Sequence, residues 1–217
     1  NCIRLKYVTI SKRITSISDY TFSNCSSLLS INILGNISSI GEYAFYGCSS
    51  LTSVIIPDNV TIIRWYTVAN CSSLTSVIIH DNVTDIHNYA FYGCINLTNI
   101  TIGNVLNFIN WCELLNTTGI SHINISSCVT NIGFERFSNC TSLRTVTIPG
   151  SVTNIQYSAF SNCKGLIHVD LSHGLEEIGG FAFSHCSSLA SITLPDSLKI
   201  ISYHAFANCS SLTSIVI

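Results

Sequence analysis

Eleven cysteines and seven histidines are the residues of this 217-residue sequence with the most chemistry open to them. So many cysteines in a short chain suggest a disulfide framework or a zinc site, and the histidines invite a metal or catalytic reading. Spacing decides against each. Cys2, Cys25, Cys48, Cys71, Cys94, Cys140, Cys163, Cys186 and Cys209 are 23 residues apart, or 46 across one gap in which Thr117 holds the expected place. Side chains at equivalent places of a stacked array point the same way, whereas a disulfide needs two Cβ atoms directed at each other. The expectation is a ladder of free, buried thiols used as small hydrophobic filler, with Cys112 and Cys128 outside it. No C-x-x-C occurs, and a 23-residue column is not a zinc tetrad.

His80, His87, His122, His168, His173, His185 and His204 fall at different places of the same repeat. Only His122 and His168 share one, two repeats and therefore ~10 Å apart, too far to share a metal ion. G-x-S-x-G, H-E-x-x-H and glycine-rich phosphate loops are all missing from the sequence. The reading is of a non-enzyme with no metal and no cofactor. Sequons at Asn36, Asn59, Asn82 and Asn96 are compatible with glycosylation, and they also arise automatically when an Asn- and Thr-rich unit is copied. Those at Asn24, Asn70, Asn139 and Asn208 are followed by a column cysteine, and its burial makes them poor acceptors.

The elements that hold these residues follow from the same register. With each cysteine as position 0, position 3 is Leu (Leu5, Leu28, Leu51, Leu74, Leu97, Leu143, Leu166, Leu189, Leu212) or Ile120. Position 6 is always Val or Ile, and position 8 is Ile or Leu, from Ile10 to Ile217. This is the L-x-x-L-x-L pattern of a leucine-rich-repeat strand, with one face buried and polar or variable residues at 5 and 7 on the other. Pro57, Pro149 and Pro195 at position 9, followed by Asp, Gly, Asn or Ser, suit proline at the second place of a β-turn. Apolar residues return at position 12 (Val60, Val83, Val152) and as an isoleucine column at position 15, Ile17 to Ile201. The aromatic at position 20, the cysteine and the leucine are three residues apart, which is helical or 3₁₀ spacing. Asn or Gly before the cysteine, or His185 in one repeat, is suited to the left-handed conformation that stops a helix.

The predicted fold is therefore an α/β solenoid: a leucine-rich-repeat horseshoe or curved rod. A parallel β-sheet would line its concave face, with short helical or 3₁₀ turns on the convex face. Residues 1–217 read as a single domain of about nine and a half repeats, taken as a piece of a longer protein because the ends fall within a repeat and lack polar caps. Uncapped ends imply weak self-association. Composition excludes disorder, with 47% hydrophobic and 9% charged residues. At net charge −2, with its few Lys and Arg read as scattered, the chain offers no basic patch for nucleic acid. Its apolar runs fall far short of the ~20 residues a bilayer requires, so no membrane insertion is expected.

The units resemble the BspA-like class of leucine-rich repeats. The motif stands here as Ile40-Gly41-Glu42-Tyr43-Ala44-Phe45, then Cys48-Ser49-Ser50-Leu51-Thr52-Ser53-Val54-Ile55-Ile56-Pro57. The resemblance covers essentially the whole chain and carries no catalytic motif. It implies a cell-surface or secreted binding or adhesion scaffold with a protein or glycan ligand. An intracellular, cytoplasmic interaction scaffold and a structural spacer within a longer chain are the alternatives. The pattern breaks where Cys112-Glu113-Leu114 replaces Tyr-Ala-Phe and Thr117-Thr118-Gly119-Ile120 replaces Cys-Ser-Ser-Leu, read as repeat decay with core volume kept by Leu114 and Ile120. Trp65, Trp111, Phe134, Tyr157 and Tyr203 share position 17, and partial burial on the convex side is expected for them, with an aromatic contact surface as the alternative.

The candidate ligand-binding residues lie on the concave wall at strand positions 4, 5 and 7, because 3, 6 and 8 are committed to the core. In early repeats this wall is quiet, with Thr52, Ser53, Thr75 and Ser76 and an apolar strip of Ile55 and Ile78. Later, Ser121, His122 and Asn124, then Arg144, Thr145 and Thr147, then His168 and Asp170 bring charge and hydrogen-bonding variety onto adjacent rungs. An Arg144–Asp170 pair on a merely solvated face is the plainer reading.

Overall fold

The structure is a computed structural model that describes residues 1–102, 111–116 and 118–216. Thr117, Ile109 and Ile217, placed above in the cysteine, isoleucine and position-8 columns, lie outside the described residues, as do the side chains of Ile102, Cys112, Glu113 and Asn116. The chain groups into two compact units, Asn1–Ile100 with Thr117–Ile120, and Thr101–Asn116 with Ser121–Ile217.

Each unit is a parallel β-solenoid. In the first, Tyr7–Ile10 pairs with Ser30–Ile33 and Ser53–Ile55 with Ser76–Ile78. In the second, His122–Ile125, Thr145–Ile148 and His168–Leu171 form consecutive rungs, and Ser191–Thr193 pairs with Ser214–Val216. Every pairing joins residues 23 apart, as in Val146 opposite Ile123 and Val169. The burial alternates as the sequence requires: Val54 is 2% exposed between exposed Ser53 and Ile55. Position 3 is fully buried at Leu28, Leu51, Leu74, Leu97, Ile120, Leu143, Leu166 and Leu189, each worth about 1.5–3 kcal/mol of burial.

The isoleucines of position 15 do more than fill the core. They end two-residue strands that form a second parallel ladder, such as Asn131–Ile132, Asn154–Ile155, Glu177–Ile178 and Ile200–Ile201. The turn after the main strand is also closed differently from expectation. Val60, Val152 and Leu198 N–H donate to the carbonyls of Pro57, Pro149 and Pro195, so proline is the first residue of the turn rather than the second.

The helical convex turns are not found. Among the described residues the one α-helix is Trp111–Asn116, in the irregular repeat. Elsewhere the segment before the cysteine alternates its bonds. Ser23 and Cys25 N–H close four-residue turns onto Tyr20 and Phe22 carbonyls, while Tyr20, Phe22 and Asn24 N–H donate to Glu42, Ala44 and Tyr46 of the next repeat. The same weave recurs in the second unit, from Glu135, Phe137 and Asn139 to Tyr157, Ala159 and Ser161. A 3₁₀ or α helix needs an unbroken run of intrasegment bonds, and here every second N–H is spent on the neighbour. Two left-handed residues per repeat permit this. The first is the Asn, Gly or His before the cysteine (Asn24, φ 55°; Gly47, φ 68°; His185, φ 58°), as the sequence implies. The second, at position 18, was not legible: Tyr20, Tyr43, Tyr66, Tyr89, Glu135, Ser158, Phe181 and His204 all have φ between 52° and 62°.

Candidate functional site

The candidate residues of the second unit come together in register. His122, Thr145 and His168 sit side by side, and so do Asn124, Thr147 and Asp170. Ile123, Val146 and Val169 between them are no more than 3% exposed, which turns the intervening side chains outward. His122, Asn124, Arg144, Thr147, His168 and Asp170 are exposed, while Ser121 and Thr145 are half-buried. Ser121 Oγ lies 2.9 Å from His122 Nδ1.

Arg144 is fixed by the next repeat. Its Nη1 donates to the Gly165 carbonyl at 3.1 Å, and a Cβ at Gly165 would collide with that guanidinium nitrogen. The anticipated pairing of Arg144 with Asp170 does not form. Among the described residues, Lys199 and Glu176 form an ion pair at 2.8 Å, and His80–Asp58 at 3.0 Å and His87–Asp85 at 3.3 Å are histidine–carboxylate contacts. Asp170 therefore keeps an uncommitted carboxylate on the exposed face.

The ladder of main strands stops after His168–Leu171, and Ser191–Thr193 belongs to a separate pairing. A groove of about 190 Å³ opens at this break, lined by His168, Asp170 and Leu171 on one side and Ser191, Ile192 and Thr193 on the other. Sequence reasoning omitted Ser191 and Thr193. They occupy positions 5 and 7, so the column rule applied one repeat further would have found them.

The cysteine column is buried from Cys25 to Cys209, Cys2 being exposed against expectation, and no disulfide joins the described cysteines. Its chemistry is more specific than filler. Sγ of Cys71, Cys94, Cys163 and Cys186 donates to the position-20 carbonyl 26 residues earlier (Phe45, Val68, Phe137, Phe160) at 3.0–3.2 Å. Burial pushes the thiols of Cys48, Cys94 and Cys186 from 9.0 up to about 12. They are structural thiols in an apolar setting.

No group of three or more metal-binding side chains occurs among the described residues. Asn36, Asn59, Asn82 and Asn96 are exposed, whereas Cys25, Cys71, Cys140 and Cys209, which follow the other four sequon asparagines, are buried. At position 17, Trp65, Phe134, Tyr157 and Tyr203 are 37–64% exposed, but Trp111 is 1% exposed and packs against Phe137 in the core. Position 18 adds a row of rings in the first unit: Tyr20, Tyr43, Tyr66 and Tyr89 stack with centroids 4.8, 4.8 and 5.3 Å apart. The cations are not evenly scattered either. Arg4, Lys6, Lys12 and Arg13, four of the nine, lie on the first coil.

Strand register, buried leucine column and parallel pairing define a leucine-rich-repeat protein. The chain belongs to the BspA type of that class: the model of the BspA type leucine rich repeat region matches residues 1–113 and 112–217. Among solved structures, a leucine-rich repeat protein from Eubacterium ventriosum is 19% identical with a TM-score of 0.54, covering 98% of this chain and 78% of that one. A leucine rich cell surface protein from Faecalibacterium prausnitzii is 26% identical, with a TM-score of 0.44 and coverage of 98% and 73%. A leucine-rich repeat protein from Bacteroides ovatus is 26% identical, with a TM-score of 0.49 and coverage of 99% and 73%. No curated protein matches. No helix among the described residues is long and apolar enough to cross a membrane.

Proposed function

We propose that this protein is a non-catalytic binding scaffold at the cell surface. Its ligand, a protein or glycan, contacts the strand face of the second unit through Ser121, His122, Asn124, Arg144, Thr145, Thr147, His168 and Asp170. The observation that carries this reading is the register, which sets an oriented guanidinium, two imidazoles, a free carboxylate and four amide or hydroxyl side chains on adjacent rungs. Donors and acceptors at fixed spacing on a rigid sheet lose little freedom on binding, and this favours recognition. The groove at the ladder break extends the same face by Ser191 and Thr193. The surface address is supported by family membership.

The test is to apply the purified chain, labelled at its amino terminus, to an array of extracellular-matrix proteins and glycans. The expected result is a small set of hits lost on the combined change Arg144→Ala and His168→Ala. An array in which no hit is weakened by it would move the site elsewhere.

A further inference from the structure

The first coil carries a feature that this reading does not use. Arg4, Lys6, Lys12 and Arg13 are all exposed, and no acidic residue precedes Asp19, so residues 1–18 hold a charge of +4. The chain as a whole is −2, so the remaining residues sum to −6. None of the four cations takes part in the ion pairs among the described residues. Their placement is fixed by backbone geometry. Leu5 N–H closes a turn onto the Cys2 carbonyl with Ile3 and Arg4 at its centre, and Ile14 N–H closes another onto Ser11 with Lys12 and Arg13 at its centre. The second turn packs against the next coil so closely that a Cβ on Gly35 would lie 2.7 Å from the Ser11 and Ile14 carbonyls. The cations thus bracket the strand Tyr7–Ile10, Arg4 and Lys6 at one end and Lys12 and Arg13 at the other, a span of roughly 20 Å.

Between the two ends lie groups suited to hydrogen bonding. Tyr7, 68% exposed, and Thr9 face outward, in register with exposed Ser30 and Asn32 on the neighbouring strand. At Lys6, Lys12 and Arg13 the exposure does not depend on the coil being first, because positions 4, 10 and 11 are also exposed at Thr52, Asp58 and Asn59.

We propose that this coil is a second binding site, for a linear anionic polysaccharide lying along the Tyr7–Ile10 strand. Cations at both ends of the strand meet the sulfate or carboxylate groups, and the hydroxyls and amide between them meet the sugar hydroxyls. A flexible polymer crossing one coil needs only this strip. A long nucleic acid would spread its charge over coils whose exposed Asp19, Asp58 and Asp81 repel it. The strip also offers one ring, Tyr7, where single-strand binding uses a series of stacking platforms.

Heparin is the probe. Isothermal titration at physiological salt should show binding that weakens steeply with added salt. It should weaken by about tenfold or more in the variant carrying Lys6→Gln, Lys12→Gln and Arg13→Gln. The control pair Arg136→Gln and Lys164→Gln should bind as the unaltered chain does, and circular dichroism establishes that all three proteins are folded. Desulfated heparin should bind more weakly than heparin. Equal affinity of the triple variant, or duplex DNA or phosphatidylserine vesicles binding the coil more tightly than heparin, would overturn the proposal.

Discussion

At the scale of single residues, the column cysteine answers a backbone requirement. The position-20 carbonyl already accepts the N–H of the cysteine three residues on, as Phe45 does from Cys48, and its second lone pair faces the interior. Cys71 fills that volume and supplies a weak donor at 3.2 Å, which alanine cannot. The 23-residue spacing made the column legible, but the thiol-to-carbonyl bond was not, because it depends on where the neighbouring coil places a carbonyl. A pH dependence follows from the raised thiols. Below pH 9 they are neutral in both folded and unfolded chains. Between pH 9 and 12 the unfolded chain ionises while the folded one is held protonated, so stability falls as pH rises. The urea midpoint should decline over that range, and Cys94→Ala should flatten the decline. An unaltered slope in that variant would separate alkaline unfolding from the column.

At the scale of elements, the strands were legible and the turns were not. Alternation at positions 5 to 8 identifies the sheet because a pleated strand has a period of two. The three-residue spacing of aromatic, cysteine and leucine looked helical, yet a left-handed residue at position 18 interrupts each segment. No residue type marks the place, which is held by tyrosine, glutamate, serine, phenylalanine and histidine in turn. A left-handed conformation costs a residue with a Cβ roughly 1–2 kcal/mol, and the bonds to the next repeat offset it. Glu135, exposed at φ 52°, has little else to lose. Glu135→Gly should therefore stabilise the protein by about 0.5–1 kcal/mol in chemical denaturation, whereas Glu135→Val should destabilise it. In a helical turn the glycine would be destabilising instead, so its sign tests the conformation directly.

At the scale of the whole molecule, the regular repeat makes core and surface separable by arithmetic, and this is why the candidate face could be written down before its geometry was known. Among the described side chains, positions 3, 6 and 8 are buried from Leu51 to Leu194, apart from a half-buried Leu171. What the register could not convey was which polar groups find partners. Arg144 turns to Gly165, Asp170 remains uncommitted, and the ladder opens beside His168. Trp111 was misplaced for a related reason: the one described helix replaces the usual turn and carries it into the core. The irregular repeat thus breaks the column rule beside Cys112-Glu113-Leu114, where the motif itself departs from its pattern. The most direct test of the central claim is the affinity of the strongest array ligand for four single variants, Arg144→Ala, His168→Ala, Thr52→Ala and Thr75→Ala, each checked for folding. The account predicts a loss of roughly 1–2 kcal/mol for the first two and wild-type affinity for the others. Equal affinities for all four would contradict it.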